Sequence, residues 1–179
     1  MAMNAVFIAC SLDGYIADKN GSVGWLDSIE YPKDYDMGYG DFMSRMDALV
    51  MGRKSFETVC GFDVEWPYDK PVFVLSNTMV SVPEEFADEA YPVKGAIQDI
   101  LDRLHKKGFK NLYIDGGKTI QSFLKEDLID EMTITTIPIL LGGGMPLFGQ
   151  LDKLQMFECV NHKTYEDRIP QMKYVRKRG

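Results

Sequence analysis

Residues 5–10 (AVFIAC) are apolar without alternation, the mark of a strand covered on both faces. A long stretch rich in Gly, Asp and Asn follows, which reads as a loop. The spacing over 34–46 predicts a helix, although Gly38 and Gly40 disturb its start. Residues 47–52 (DALVMG) return to a strand pattern, and 53–60 turn helical, with Phe56 and Val59 spaced i, i+3. Residues 70–77 predict a third strand opening at Pro71, where a missing N–H is tolerated. A short fourth strand is expected at 89–93. Over 96–108, Ile97, Ile100, Leu101 and Leu104 form one helical stripe, and Gly108 suits the C-terminal cap. Residues 111–117 predict a strand ending in two glycines, 119–129 a helix, and 131–140 a long strand. Residues 154–165 and 172–178 predict a closing antiparallel pair.

Alternating strands and helices imply an α/β fold with a mostly parallel central sheet and an antiparallel C-terminal hairpin at one edge. No linker divides the 179 residues, so one domain is expected over 1–179. Ligands on such sheets bind beyond the carboxyl ends of the strands. Three strand ends therefore matter: Gly52–Ser55, Ser76–Thr78 and Gly116–Thr119.

Composition narrows the partners. The net charge of −7 argues against nucleic acid or an anionic membrane, so any anion must be held by a local cluster of donors. The three cysteines, Cys10, Cys60 and Cys159, are scattered, which suits reduced thiols and a cytoplasmic setting. His105 and His162 lack companions at ligand spacing, so no metal site is expected. Neither a signal-peptide pattern nor a membrane-length apolar run is present.

Against that acidic background, Gly52-Arg53-Lys54-Ser55 places a glycine and two cations where a strand hands over to a helix. Gly116-Gly117-Lys118-Thr119 opens a second helix with small residues. Helix N-termini bring free N–H groups and a partial positive charge to an anion, and Arg adds a planar fork suited to phosphate. The pattern is neither a Walker A loop nor a GxGxxG fingerprint. Two anion sites on neighbouring strand ends suit a nucleotide with several phosphates. Each turn alone is equally explained by the backbone's need for glycine.

The stretches IACSLDGYIA, GSVGWL, VMGRKSFE, VFVLSN, LYIDGGKTIQSFL and ITTIPILLGGGMPLF together resemble the dihydrofolate reductase superfamily. They are closest to the C-terminal reductase domain of the bifunctional riboflavin-biosynthesis deaminase–reductase and to its stand-alone relatives. The resemblance implies a three-layer α/β/α fold and an NADPH-dependent oxidoreductase. The activity it implies resembles 5-amino-6-(5-phosphoribosylamino)uracil reductase, with a small heterocyclic substrate. It further implies that Gly52, Arg53, Lys54 and Ser55 approach the cofactor phosphates and that Leu75, Ser76 and Asn77 hold the adenosine side. Gly116, Gly117, Lys118, Thr119 and Ile120 would wrap the pyrophosphate and nicotinamide ribose, across a cis Gly116–Gly117 bond. Ala9, Ile16 and Ala17 would flank the nicotinamide, with residues 18–25 as a closing loop.

Three residues are candidates for the chemistry. Asp13, in SLDG, lies near the substrate by resemblance, although an aspartate before glycine also makes turns. Asp36 falls near the folate-type helix carboxylate, with Asp34 and Asp41 close by. Thr135 matches a pocket-facing hydroxyl. Trp25, Tyr35 and Tyr39 could wall or stack on a planar substrate or pack the core. Lys33 and Lys118 could meet a substrate phosphate. Two alternatives stay open: a true dihydrofolate reductase, and an NADP-binding protein without catalysis. The resemblance also implies a homodimer, with residues 140–148 near both substrate and interface.

Overall fold

The computed structural model describes residues 2–30 and 36–178. The main sheet has eight strands in the order β5-β4-β3-β6-β1-β7-β10-β9. They are β1 (Met3–Ser11), β3 (Ala48–Gly52), β4 (Val72–Leu75), β5 (Ala90–Val93), β6 (Asn111–Asp115), β7 (Glu131–Ile137), β9 (Met156–Tyr165) and β10 (Ile169–Lys177). The first six of these are parallel, and β10 joins β7 antiparallel before turning back as β9. This is the expected mostly parallel sheet with its antiparallel edge. A small second sheet pairs β2 (Tyr15–Ala17) with β8 (Met145–Pro146). Sequence patterning gives no sign of it, because three residues pairing with two carry no periodicity.

Alternation along the strands sends side chains into two cores. Ala48 and Val50 join Val6, Leu112 and Ile114 under helices α3 (Ile97–Lys106) and α4 (Gly117–Lys125). Leu49 and Met51 join Ala5, Val72 and Tyr113 on the opposite face, under α1 (Tyr39–Ser44) and α2 (Arg53–Cys60). The result is the α/β/α sandwich. The α3 stripe is buried as its spacing predicts: Ile97, Ile100, Leu101 and Leu104 each keep under a tenth of their surface exposed.

Several boundaries move. The expected helix over 34–46 is only Tyr39–Ser44, preceded by Gly38 in the left-handed region at φ 84°. The strand expected over 131–140 stops at Ile137, because Pro138 has no N–H to continue the ladder. Lys33, Asp34 and Tyr35 lie outside the described residues. No helix among the described residues is long and apolar enough to cross a membrane.

Candidate active site

The carboxyl ends of β3 and β6 are adjacent, so the two glycine turns meet. They interlock reciprocally. A Cβ on Gly52 would lie 2.7 Å from Thr119 Oγ1 of α4, and one on Gly116 would overlap Ser55 Oγ of α2. The N-termini of α2 and α4 thus converge, bringing Gly52, Ser55, Gly116 and Thr119 together. In α4 the ladder starts with the Ile120 amide donating to the Gly116 carbonyl at 2.8 Å, so the amides of Gly117, Lys118 and Thr119 precede it.

The expected cis Gly116–Gly117 bond is corrected: no cis peptide occurs among the described residues. Gly116 makes the sharp turn through its dihedrals instead, at φ 92° and ψ 133°, a conformation that suits a residue without Cβ.

Beside this junction the β3 and β4 ends form a polar corner. Arg53 donates through Nε to Glu57 at 2.6 Å and through Nη1 to Thr78 Oγ1 at 3.1 Å. Ser76 Oγ lies 3.4 Å from Thr78 Oγ1 and accepts the amides of Thr78 and Met79. The Arg53–Glu57 pair is half-exposed, so its net worth is small, on the order of 0.5 kcal/mol, and a stronger anion can displace it. Leu75 is half-buried, whereas Asn77, Lys54 and Lys118 are exposed.

On the other side, Ile16 and Met145 press on the start of α4. A Cβ on Gly117 would lie 2.8 Å from Ile16 Cδ1 and 2.8 Å from Met145 Cγ. The β2–β8 pair therefore carries Ile16 to the α4 N-terminus, with Ala17 next to it in β2 and close against Gly144. Ala9 packs with Trp25, Ile137 and Ile169, so Trp25 is a buried wall close to Ala9. Residues 18–22 form a closed turn around Asp18, whose carboxylate accepts the amides of Asn20 and Ser22.

The candidate acids differ sharply. Asp13 is exposed and accepts from Ser11 Oγ at 2.6 Å, Gly142 N at 2.8 Å and Leu141 N at 3.1 Å. The Ser11 hydroxyl, with those two amides, holds its carboxyl below the usual carboxylate range. It anchors the glycine-rich loop 140–148 to the first strand, and an ionised anchor is a poor proton donor. Asp36 accepts the amides of Gly38 at 2.8 Å and Gly40 at 2.9 Å. These two amides hold it low as well, and it organises the entry to α1. Asp41 is exposed at the start of α1. Thr135 is buried, and its Oγ1 accepts from Gln171 Nε2 at 2.9 Å. Gln171 Nε2 also reaches the Met37 carbonyl at 3.1 Å, where the Tyr165 hydroxyl donates at 2.9 Å.

Sequence reasoning passed over Asp115. It closes β6 directly before Gly116, beside Tyr39, Tyr68 and Tyr113. Burial pushes its carboxyl up, only partly offset by the Gly116 amide and the Tyr113 hydroxyl. The residue keeps some exposed surface, yet its carboxyl is enclosed by these rings. The Tyr113 hydroxyl also lies 2.9 Å from the Phe7 carbonyl. Tyr39 stacks edge-on against Phe7 and Tyr113 and is pushed up to about 12 by burial and then by Asp115 and Asp69. The available signal was one carboxylate ending an otherwise apolar strand, LYID, against two glycines.

With this geometry in place, the comparisons identify the family. The RibD C-terminal domain family matches residues 5–170. The chain belongs to that family. YwjB of Bacillus subtilis is 35% identical over 174 residues, covering 96% of each chain. The 2,5-diamino-6-ribosylamino-4(3H)-pyrimidinone 5′-phosphate reductase of Methanothermobacter thermautotrophicus is 26% identical over 174 residues, covering 75% of this chain and 77% of its own. Among solved structures, a Shewanella sp. PV-4 protein provisionally named for riboflavin biosynthesis superposes with a TM-score of 0.95 at 56% identity. It covers 99% of this chain and 100% of its own. The fold is shared with Enterococcus faecalis dihydrofolate reductase, solved with NADP(H), at a TM-score of 0.64 and 16% identity. That match covers 98% of this chain and 97% of the reductase. The relatives of named activity in these comparisons are reductases, and the chain is grouped with them as an oxidoreductase.

Proposed function

We propose that the protein is an NADPH-dependent reductase that delivers a hydride to a small planar nitrogen heterocycle of the pyrimidine type. The observation that carries this reading is the interlock of the α2 and α4 N-termini beside the Arg53–Ser76–Thr78 corner. The donor set fits a dinucleotide with one extra phosphate: helix amides for the pyrophosphate, and an arginine fork with two hydroxyls for the 2′-phosphate.

When bound there, NADPH would supply the hydride. Arg53, Ser76 and Thr78 hold the 2′-phosphate, and Gly117, Lys118 and Thr119 offer amides to the pyrophosphate. Leu75 and Asn77 border the adenosine, while Gly52, Lys54, Ser55 and Ile120 shape the two turns. Ala9, Ile16 and Ala17 flank the transferring ring, and Trp25 and Ile137 exclude water beside it. Asp115, whose carboxyl burial pushes up, would be the proton donor, and Thr135 would orient the substrate ring. Asp13 acts by fixing the loop 140–148.

Strict folate reduction would need a helix carboxylate in an apolar pocket, and Asp36 does not supply it, since the Gly38 and Gly40 amides occupy it. The same reading takes the chain as one cytoplasmic domain that pairs with a second copy. The ten-residue edge strand β9, with Val160 exposed and Met172 exposed on its neighbour β10, supports such a pairing. Steady-state NADPH oxidation tests the function against 2,5-diamino-6-ribosylamino-4(3H)-pyrimidinone 5′-phosphate, its deaminated uracil analogue and dihydrofolate. Turnover with a pyrimidine phosphate, abolished in Asp115→Asn, is expected. Turnover with dihydrofolate alone would refute the pyrimidine assignment.

A further inference from the structure

The start of α2 carries a charge arrangement that helix stability does not explain. Arg53 is the first residue of this eight-residue helix, and no acidic residue stands in its first turn. A cation at that end opposes the helix dipole. Glu57 follows one turn later. In an i, i+4 pair the favoured order places the acid before the base, the reverse of the order here. The pair is nevertheless closed at 2.6 Å, with the Arg53 side chain 50% and the Glu57 side chain 48% exposed, so both reach solvent and any ligand that comes from it.

The carboxylate occupies donors that a phosphate needs. Glu57 takes Nε of the guanidinium, Nη1 donates to Thr78 Oγ1 at 3.1 Å, and Nη2 has no hydrogen-bond partner among the described residues. Nε and Nη2 share one edge of the planar fork, so Glu57 sits on an edge that otherwise offers two parallel donors to an oxyanion. It fills the place of an anion while the corner formed by Arg53, Ser76 and Thr78 stands open to solvent. On its far side Glu57 lines a cleft of about 480 Å³ together with Met79, Val82 and Pro83, which gives a displaced side chain space to turn.

We infer that Glu57 is a specificity-determining residue that competes with the cofactor 2′-phosphate for Arg53 and so limits the preference for NADPH over NADH. This rests on the reductase reading and adds to it the residue that sets the size of that preference. NADH carries a ribose hydroxyl at this place and leaves the Arg53–Glu57 pair closed, whereas NADPH has to open it. As the oxidised cofactor departs, the carboxylate returns to the fork, which favours release.

Glu57→Gln tests it, because the amide removes the charge and keeps an oxygen for Arg53 Nε. By cofactor fluorescence the variant should bind NADPH about three- to fivefold tighter than wild type, the upper range for an exposed ion pair, with NADH affinity the same within about 1.5-fold. Isothermal titration should repeat the split with fragments: adenosine 2′,5′-bisphosphate tightens and adenosine 5′-monophosphate does not. In an Arg53→Ala background the gain should vanish, since nothing remains to compete for. Unchanged or weaker NADPH binding by Glu57→Gln, equal tightening of NADPH and NADH, or a gain that persists without Arg53 would overturn the inference. A wild type that fails to bind NADPH would overturn the reductase reading with it. A wild type that prefers NADPH and is matched by Glu57→Gln overturns the inference alone, so the two failures are distinguishable.

Discussion

Replacing Gly116 with alanine probes the junction on which the cofactor site depends. Two costs arise. An L side chain at φ 92° and ψ 133° is strained by about 1–3 kcal/mol. The new Cβ also overlaps Ser55 Oγ and lies 3.3 Å from Ser55 Cβ and 3.6 Å from the Gly52 amide nitrogen. Ser55 Oγ can rotate away, but its Cβ cannot, so overpacking adds about 1–2 kcal/mol. The sum is about 3 kcal/mol, within the 5–15 kcal/mol typical of a domain, so the variant folds. At about 2–4 °C per kcal/mol for a chain of this length, Tm should fall by about 6–12 °C. NADPH affinity should fall about tenfold, since the α4 amides shift away from the pyrophosphate. Calorimetry and cofactor fluorescence measure the two effects. Adding Ser55→Ala should recover about 1 kcal/mol of the steric part and leave the strain, a coupling readable from the double-mutant cycle. A Tm within 1–2 °C of wild type, about 0.5 kcal/mol, with NADPH binding intact would refute the interlock as the origin of the site.

Arg53→Ala should weaken NADPH much more than NADH, because the fork meets only the extra phosphate; equal weakening would remove that assignment. Asp115→Asn should abolish turnover while NADPH binding persists. Its native carboxyl titrates above the unfolded value, so the stability that it contributes is complete below about pH 4 and is lost as pH rises through the native value. Asn at this site should therefore be more stable than Asp at neutral pH, by urea denaturation, and a destabilised variant would contradict the upward shift of this carboxyl. Asp13→Asn should raise the substrate KM more than it lowers kcat, since it loosens the loop 140–148. Because the native Asp13 carboxyl is held low, its stabilisation is present above about pH 4 and fades as pH falls through the native value.

Much of this was legible from the chain alone. Fully apolar runs such as 5–10 marked the parallel strands, and the strand–glycine–helix turns at Gly52 and Gly116 pointed to the site. What the sequence concealed is non-local. The β2–β8 pairing joins residues about 130 positions apart and has no period to read. Asp13 looked equally like an acid and a turn former; its hydrogen bonds to Leu141 and Gly142 gave it the anchor's part. Asp36 drew attention by its place before α1, yet its local amides Gly38 and Gly40 occupy it. Asp115 escaped notice because an acid at a strand end usually faces water. Only the fold surrounds it with Tyr39, Tyr68 and Tyr113. The expectation of a cis Gly116–Gly117 bond came from resemblance, and the dihedrals of Gly116 achieve the turn without it.

The central claim is that the joined α2 and α4 N-termini with Arg53 hold NADPH. Titrating the purified protein with NADPH and with NADH, by cofactor fluorescence, tests it most directly. Saturable NADPH binding at least tenfold tighter than NADH binding, worth about 1.4 kcal/mol, is the expected result. Failure to bind NADPH, or equal affinity for both cofactors, would contradict it.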